Sequence, residues 1–185
     1  MHPQLEAVRQ ELDDAEARLD RLAAKVLPEW WQRRPDPARW SIAECVAHLN
    51  LTAEAYLPLL REALERARAL GTPPPRRYRR DFTGWVLWRT AGPPVRARVR
   101  TTARFVPTSL APPAELLAAF RRYQEEQRDA VRRADGLPLG AVRITSPFNA
   151  RFRYNAYACL TILPRHQHRH LWQAERVLVA LRGGK

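Results

Sequence analysis

The spacing of apolar positions along the chain predicts four long helices. In each segment, apolar side chains recur alternately three and four positions apart, which is the pattern of a helix that packs one narrow face against its neighbours. Polar and charged residues fill the positions between them. Pro28 follows the first segment and Gly71 follows the second, and residues of both types end helices. The four segments are residues 3–27, 41–70, 112–134 and 154–182.

The second helix has a clear start in the sequence. Ser41 is a good N-cap residue, and Glu44, three positions later, is able to accept a bond from the backbone N–H of Ser41. This reciprocal arrangement is called a capping box. Pro58 lies inside the second helix and Pro164 inside the fourth, and we expect a kink at each proline.

Residues 72–111 form a long connection of different composition. Prolines and arginines dominate it, and a short apolar piece at residues 82–88 predicts one or two helical turns. Between Arg76 and Arg104 there are nine arginines and a single acid, Asp81. We interpret this segment as partly irregular, with its aromatic residues packed on the helices. Connections of this length are usually functional or cross from one end of a bundle to the other.

A second connection covers residues 137–152, where we expect a short extended piece at residues 141–145. No internal repeat and no glycine-serine linker divides the chain. Four long helices with two lengthy connections predict a single domain over residues 1–185, with an all-α fold of the four-helix bundle type.

Composition narrows the class of protein. The chain has 185 residues, of which 45% are apolar, enough for a sizeable core. No apolar run is long enough to span a membrane, and the first residues lack the pattern of a secretion signal. We therefore expect a cytoplasmic protein with no membrane partner. Two cysteines set no disulfide framework. The net charge of +13 comes almost entirely from arginine, and solvated arginines on helix surfaces explain it without a polyanionic partner.

Three of the five histidines cluster within residues 165–173. On a helix, His166 and His170 are one turn apart on an inward-facing row, with Cβ atoms about 5–6 Å apart. His168 points to nearly the opposite side. His48, beside the apolar seam of the second helix, is the third candidate ligand. Three imidazoles from two facing helices suit zinc, nickel, iron or copper, and they leave room for water or substrate on the ion.

Each of these residues also has a plainer interpretation. His48 alone would be a half-buried histidine with satisfied hydrogen bonds, and the HxHxH stretch would be a surface tract that merely picks up metal. Glu44 is one turn before His48 and is a candidate to orient its ring, but the capping box already explains it. Cys45 and Cys159 occupy apolar faces and are interpreted as core residues.

Two stretches of the sequence resemble the DinB-like superfamily. Residues 40–49, WSIAECVAHL, are similar to its second-helix motif, W-S-x-x-E-x-x-x-H-L, and residues 165–173, RHQHRHLWQ, to its fourth-helix motif, H-x-x-R-H-x-x-Q. The resemblance implies a four-helix bundle of the up-up-down-down type, often dimeric, with a divalent metal on His48, His166 and His170. Members with known activity include transferases and isomerases that use glutathione, mycothiol or bacillithiol, and metal-dependent hydrolases.

The leading hypothesis is therefore a metal-dependent enzyme of the thiol S-transferase or hydrolase type. Its cofactor would be a divalent ion, zinc or nickel. Its partners would be a small-molecule substrate, a low-molecular-weight thiol and a second copy of the chain in a homodimer. Arginines of the 76–104 connection are candidates to hold a carboxylate of the substrate or thiol.

Two other classes of function remain open from the sequence. A nucleic-acid-binding or stress-associated protein, with a structural metal or none, is suggested by aromatic residues interleaved with the arginines. These aromatic residues are Tyr78, Phe82, Trp85 and Trp88. The third class is a bundle without metal that acts as a dimeric scaffold.

Overall fold

The computed structural model describes residues 1–73, 75–93 and 101–183. Arg96, Arg98 and Arg100 of the arginine-rich connection therefore lie outside the described residues. The described part of the chain contains five α-helices: α1 (Pro3–Ala23), α2 (Ile42–Ala69), α3 (Phe82–Ala91), α4 (Pro113–Arg133) and α5 (Ala156–Gly183). Two short strands, β1 (Arg143–Thr145) and β2 (Arg153–Asn155), pair in antiparallel fashion. Short 3-10 turns occur at Pro28–Trp30 and Ala103–Phe105.

The four long helices form the predicted bundle, in which α1 and α2 each pack against both α4 and α5. Contacts along their lengths fix the helix directions. These contacts join Gln4 to Tyr157 and Arg18 to Glu175 between α1 and α5, Asp20 to Arg121 and Asp13 to Arg128 between α1 and α4, and His48 to His166 and Tyr56 to Tyr154 between α2 and α5. With α1 taken as up, α2 and α4 run down and α5 runs up.

The all-α fold is confirmed, whereas the order of directions is up-down-down-up in place of the expected up-up-down-down. The reason lies in the connections. Only the segment between α2 and α4 joins two helices of the same direction, so only this segment must cross the length of the bundle. The other two connections, from α1 to α2 and from α4 to α5, join antiparallel helices.

A polar layer crosses the middle of the bundle between two apolar cores. One core is built around Leu60 of α2 and Leu160 of α5, and the other around Val46 of α2 and Ala174 of α5. Buried polar side chains of three helices lie at the level between them: His48, Asn50, Thr52, Gln124, Gln127, Gln167 and His170. Buried polar groups are stable only with hydrogen-bond partners, so this layer is the part of the interior most suited to chemistry.

The ends of the elements differ in places from the prediction. α1 ends at Ala23, earlier than residue 27, and the predicted turns at 82–88 extend to a ten-residue helix. Tyr154, expected at the start of the fourth helix, instead lies in β2 opposite Ile144 of β1. Asn155 then caps α5, because its side-chain oxygen accepts a bond from the N–H of Ala158 at 2.8 Å.

Candidate metal centre

Three imidazoles meet in the polar layer at the interface of α2 and α5. His166 and His170, one turn apart on α5, bring their Nε2 atoms within 3.2 Å of each other. The Nε2 atom of His48 on α2 lies 3.4 Å from that of His166. One ring nitrogen from each histidine lies within 4.8 Å of the other two. The structure thus brings together the three histidines selected from the sequence.

The spacing of the nitrogens fits ligation of one ion. Zinc–nitrogen bonds of about 2.0–2.1 Å at tetrahedral angles place neighbouring nitrogens roughly 3.3–3.4 Å apart. The two Nε2 separations, 3.2 and 3.4 Å, are close to that value. Among the described residues, this is the one group of three or more histidine, cysteine or acidic side chains with such geometry. Three neutral donors leave coordination positions for other ligands.

The backbone carbonyl of Phe105 fixes the ring of His48. Nδ1 of His48 donates to this oxygen at 2.7 Å, so the lone pair is on Nε2, which points at the other two histidines. Metal-binding histidines commonly donate their second nitrogen in this way, which sets tautomer and orientation. Nδ1 of His166 and Nδ1 of His170 are also buried, and no group of the described residues has hydrogen-bonding geometry to either atom.

The environment keeps all three imidazoles neutral. Burial lowers the pKa of His48, although the bond to the Phe105 carbonyl acts in the opposite direction. Burial also holds the pKa of His166 and of His170 well below the usual value, and the neighbouring histidines and the positive charge of Arg169 lower both further. Neutral imidazole is the form that binds a metal, because its lone pair is then available.

Aromatic rings enclose the histidines on their remaining sides. The indole of Trp40 lies 5.0 Å from the ring of His48, measured between centroids. The rings of Phe105 and Phe148 stack on each other at 4.0 Å and also contact His48. Phe105 is 1% exposed, whereas Trp40 is only partly buried. An ion at this position would therefore lie in a largely apolar, water-poor setting.

Several residues that are near the three histidines in the sequence have structural roles outside the histidine cluster. Glu44 accepts bonds from the N–H of Ser41 at 2.7 Å and from Arg34, so it completes the predicted capping box and does not contact His48. His168 lies on the α1 side of α5, with Nδ1 3.4 Å from a guanidinium nitrogen of Arg18. Cys45 and Cys159 are buried free thiols, as expected of core residues.

Sequence reasoning missed a cluster of three glutamines beside the histidines. Nε2 of Gln167 donates to the side-chain oxygens of Gln124 at 2.8 Å and Gln127 at 3.2 Å. Gln124 in turn donates to the carbonyl of Leu12 at 2.8 Å. The available signal was Gln127, a polar residue within the apolar seam of its helix. Gln167 follows His166 directly, so the cluster helps to fix this part of α5.

Comparison with known protein families agrees with this arrangement. A family model described as the DinB superfamily matches residues 11–174, which include His48, His166 and His170. The chain belongs to the DinB superfamily. No curated protein and no solved structure matches the chain. Within this DinB-superfamily protein, Trp40 and His48 come from the first resembling motif, and His166 and His170 come from the second. The bundle brings the three histidine rings together and places Trp40 against His48 and His170.

Proposed function

We propose that this DinB-superfamily protein is a divalent-metal-dependent enzyme of the thiol S-transferase or hydrolase type. His48, His166 and His170 would hold the ion, and zinc or nickel suits their neutral nitrogen donors. The observation that carries the proposal is the convergence of three Nε2 atoms, with separations of 3.2 and 3.4 Å along the set. His48 and His170 are buried and His166 is partly buried, and three imidazole nitrogens this close together suit a shared ion.

The protein's own groups prepare the site in three ways. The carbonyl of Phe105 sets the tautomer of His48, burial keeps each imidazole unprotonated, and Trp40, Phe105 and Phe148 exclude water. A divalent ion bound there supplies Lewis acidity, which lowers the pKa of a coordinated water or thiol and makes a nucleophile near neutral pH. The low polarity of the walls strengthens any such electrostatic effect.

The charge around the histidines favours an anionic reactant. All three candidate ligands are neutral, and the side chain whose charge reaches both His166 and His170 is the cation Arg169. A thiolate or a carboxylate would offset this charge. Of the arginines expected to hold a carboxylate, Arg80 is engaged with Trp88 and Thr161, while Arg104 is exposed next to Phe105. Arg104 is therefore the described arginine of the connection that we assign to this role.

Metal analysis of variants tests the ligand set. Purified protein should contain about one divalent ion per chain, and His48→Ala, His166→Ala and His170→Ala should each lose most of it. His168→Ala is the matched control, because His168 lies on the same helix two positions from both ligands but on its other side. Full metal content in His48→Ala, with helical content unchanged, would remove the three-histidine site.

A spectroscopic experiment separates the thiol and hydrolase types. Cobalt-substituted protein should develop a near-ultraviolet sulfur-to-cobalt charge-transfer band when a low-molecular-weight thiol such as glutathione coordinates the ion. A panel of thiols with and without an electrophilic acceptor then measures turnover. Thiol coordination with transfer supports the transferase type, and ester or amide hydrolysis without thiol coordination supports the hydrolase type.

The alternative of nucleic-acid binding finds less support in the structure. Of the four aromatic residues that suggested it, Tyr78 is buried at 3% exposure. Trp88 is partly buried, and its ring is in contact with two guanidinium groups, those of Arg80 at 4.1 Å and Arg165 at 4.2 Å. A row of four rings open to stacked bases is therefore not present among these residues.

A further inference from the structure

Helix α3 is apolar on two opposite sides, and only one of these sides is packed on other described residues of the protein. Gly84 is buried, and Leu87, Trp88 and Ala91 on the same side pack against the core. The other side carries Phe82, Trp85 and Val86 at helical spacing, and these side chains are 80%, 49% and 38% exposed. The rings of Phe82 and Trp85 stack with centroids 6.5 Å apart. A helix that is apolar on both sides is normally buried on both, so within the described parts of the chain the exposed side lacks a partner.

The exposed side of α3 is held in a fixed position. Gly84 lies so near α5 that an added Cβ would be 2.3 Å from the Cβ of Ala158. Arg165 donates to the carbonyl of Trp88 at 3.0 Å and Arg169 to that of Thr90 at 3.2 Å, which satisfies the C-terminal end of the helix. The aromatic surface is therefore already formed before any partner arrives.

Arginines surround this surface, and acidic residues are scarce. Asp81 is the only acid between Glu65 and Glu115 in the sequence. Its carboxylate caps α3 and bonds to Arg143 at 2.8 Å, so it contributes little negative charge. Exposed arginines flank the rings along the chain at Arg79 and Arg89. β2, which packs against α3, adds the exposed Arg153.

We propose that the exposed side of α3 docks on an anionic phospholipid surface. Aromatic and aliphatic side chains would enter the boundary between headgroups and acyl chains, and the surrounding arginines would contact lipid phosphates. The helix would lie in the plane of the membrane surface. Among the described residues, no helix has the length and apolar character needed to cross a bilayer. The expectation of no membrane partner was based on the lack of an apolar run that could span a membrane, and it does not concern a helix that lies on a membrane surface.

The charge pattern argues against the two other occupants. A symmetric contact with a second copy would bring the arginines of one α3 surface against those of the other, with Asp81 already paired. Single-stranded nucleic acid is bound by stacking successive bases on a series of rings, but this surface carries only the two rings of Phe82 and Trp85, beside the aliphatic Val86. The mixture of rings, an aliphatic side chain and arginines suits a lipid interface.

Vesicle sedimentation with the full chain tests the proposal. Protein should bind vesicles that contain phosphatidylglycerol and bind neutral phosphatidylcholine vesicles much more weakly, by roughly fivefold for each arginine near the surface. The variant Phe82→Ser/Trp85→Ser should bind anionic vesicles about 10-fold more weakly than the wild type. Val179→Ser is the matched control, since Val179 is 62% exposed on α5, away from this surface. Arg79→Gln/Arg89→Gln should weaken binding while it leaves the rings unchanged.

Three results would overturn the proposal. The first is equal binding to neutral and anionic vesicles, or no binding to either. The second is an oligonucleotide complex that the Phe82→Ser/Trp85→Ser variant loses, in a protein that ignores vesicles. The third is a dimer in analytical ultracentrifugation that dissociates in this variant, which would show that a second copy covers the surface. Thermal unfolding of each variant verifies that the bundle is intact.

Discussion

The indole of Trp40 lies nearly parallel to the imidazole of His170, with ring centroids 5.9 Å apart and planes inclined by 25°. Trp40 is thus an intrinsic probe of the candidate metal centre. Nickel or cobalt bound to the histidines should quench its emission, because these ions accept excitation energy over such short distances. The measurement is the tryptophan fluorescence of metal-free protein during addition of nickel.

Trp40→Phe provides the control, since it retains an aromatic ring beside His48 and His170. This variant should bind one ion per chain but lose most of the change in fluorescence, because Trp40 is the tryptophan whose ring contacts the candidate ligands His48 and His170. Stoichiometric nickel binding without any change in the emission of the wild-type protein would contradict the placement of the ion beside Trp40.

The glutamine cluster should contribute to stability. Gln124→Leu removes an oxygen that accepts bonds from both Gln127 and Gln167. Buried donors that lose their acceptor typically cost about 1–3 kcal/mol, so the free energy of unfolding should fall by that amount. Urea unfolding measures the loss. Gln10→Leu changes an exposed glutamine of α1 and should have little effect. Equal stability of the two variants would show that the cluster is dispensable.

Glu44 should make the stability depend on acid pH. Burial raises the pKa of its carboxyl, but bonds from Arg34 and Ser41 outweigh this effect, and the net pKa is lowered. A carboxyl with a lowered pKa in the folded state stabilises the protein above its unfolded pKa, and this contribution is lost as the pH falls. Wild type should thus exceed Glu44→Gln in free energy of unfolding at pH 7, with the difference shrinking below about pH 4.5.

The comparison requires urea unfolding of both proteins from pH 7 to pH 3. Glu54→Gln serves as the control, because Glu54 is an exposed carboxyl on the same helix. A difference between wild type and Glu44→Gln that stays constant over this range would mean that the charge of Glu44 does not contribute.

Gly84 should tolerate no side chain. An added Cβ would be 2.3 Å from the Cβ of Ala158 and 2.7 Å from a carboxylate oxygen of Asp81, so α3 would have to move away from α5. Overpacking of this kind usually costs about 1–3 kcal/mol, and Gly84→Ala should lower the thermal midpoint accordingly. Gly140→Ala is the control, since nothing lies within 4 Å of a Cβ added there. Unfolding temperatures that match within error would disprove the close approach.

The sequence predicts the parts of this fold that local spacing determines. Alternation of three and four positions identifies the long helices, because each helix buries one face. His166 and His170 are spaced by one helical turn on an inward-facing row, and this spacing identifies them as two of the candidate ligands. His48 is identified as the third because it lies beside the apolar seam of α2. Ser41 and Glu44 define a helix start through contacts only three positions apart.

Features that depend on distant contacts were not predictable in this way. The direction of α2 relative to α1 and α4 depends on which connection crosses the bundle, and composition does not specify this. The partner of His48 is the carbonyl of Phe105, a group that every residue carries, so no side chain reveals it. From the sequence alone, Gln124 cannot be distinguished from a solvated glutamine, because its bond to Gln167 depends on how α4 and α5 pack. The pairing of Ile144 with Tyr154 was not predictable either, because strands of three residues leave too short a pattern in the sequence.

The polar layer also restricts how the helices can be aligned. Leucine and alanine make up most of both cores, and such surfaces would tolerate a helix that slides along its neighbours by one turn, about 5.4 Å. That slide would carry Gln167 and His166 of α5 into a core of leucine and alanine, with their donors and acceptors unmatched. Each unmatched group costs about 1–3 kcal/mol, so the imidazoles and amides specify a single register for the bundle.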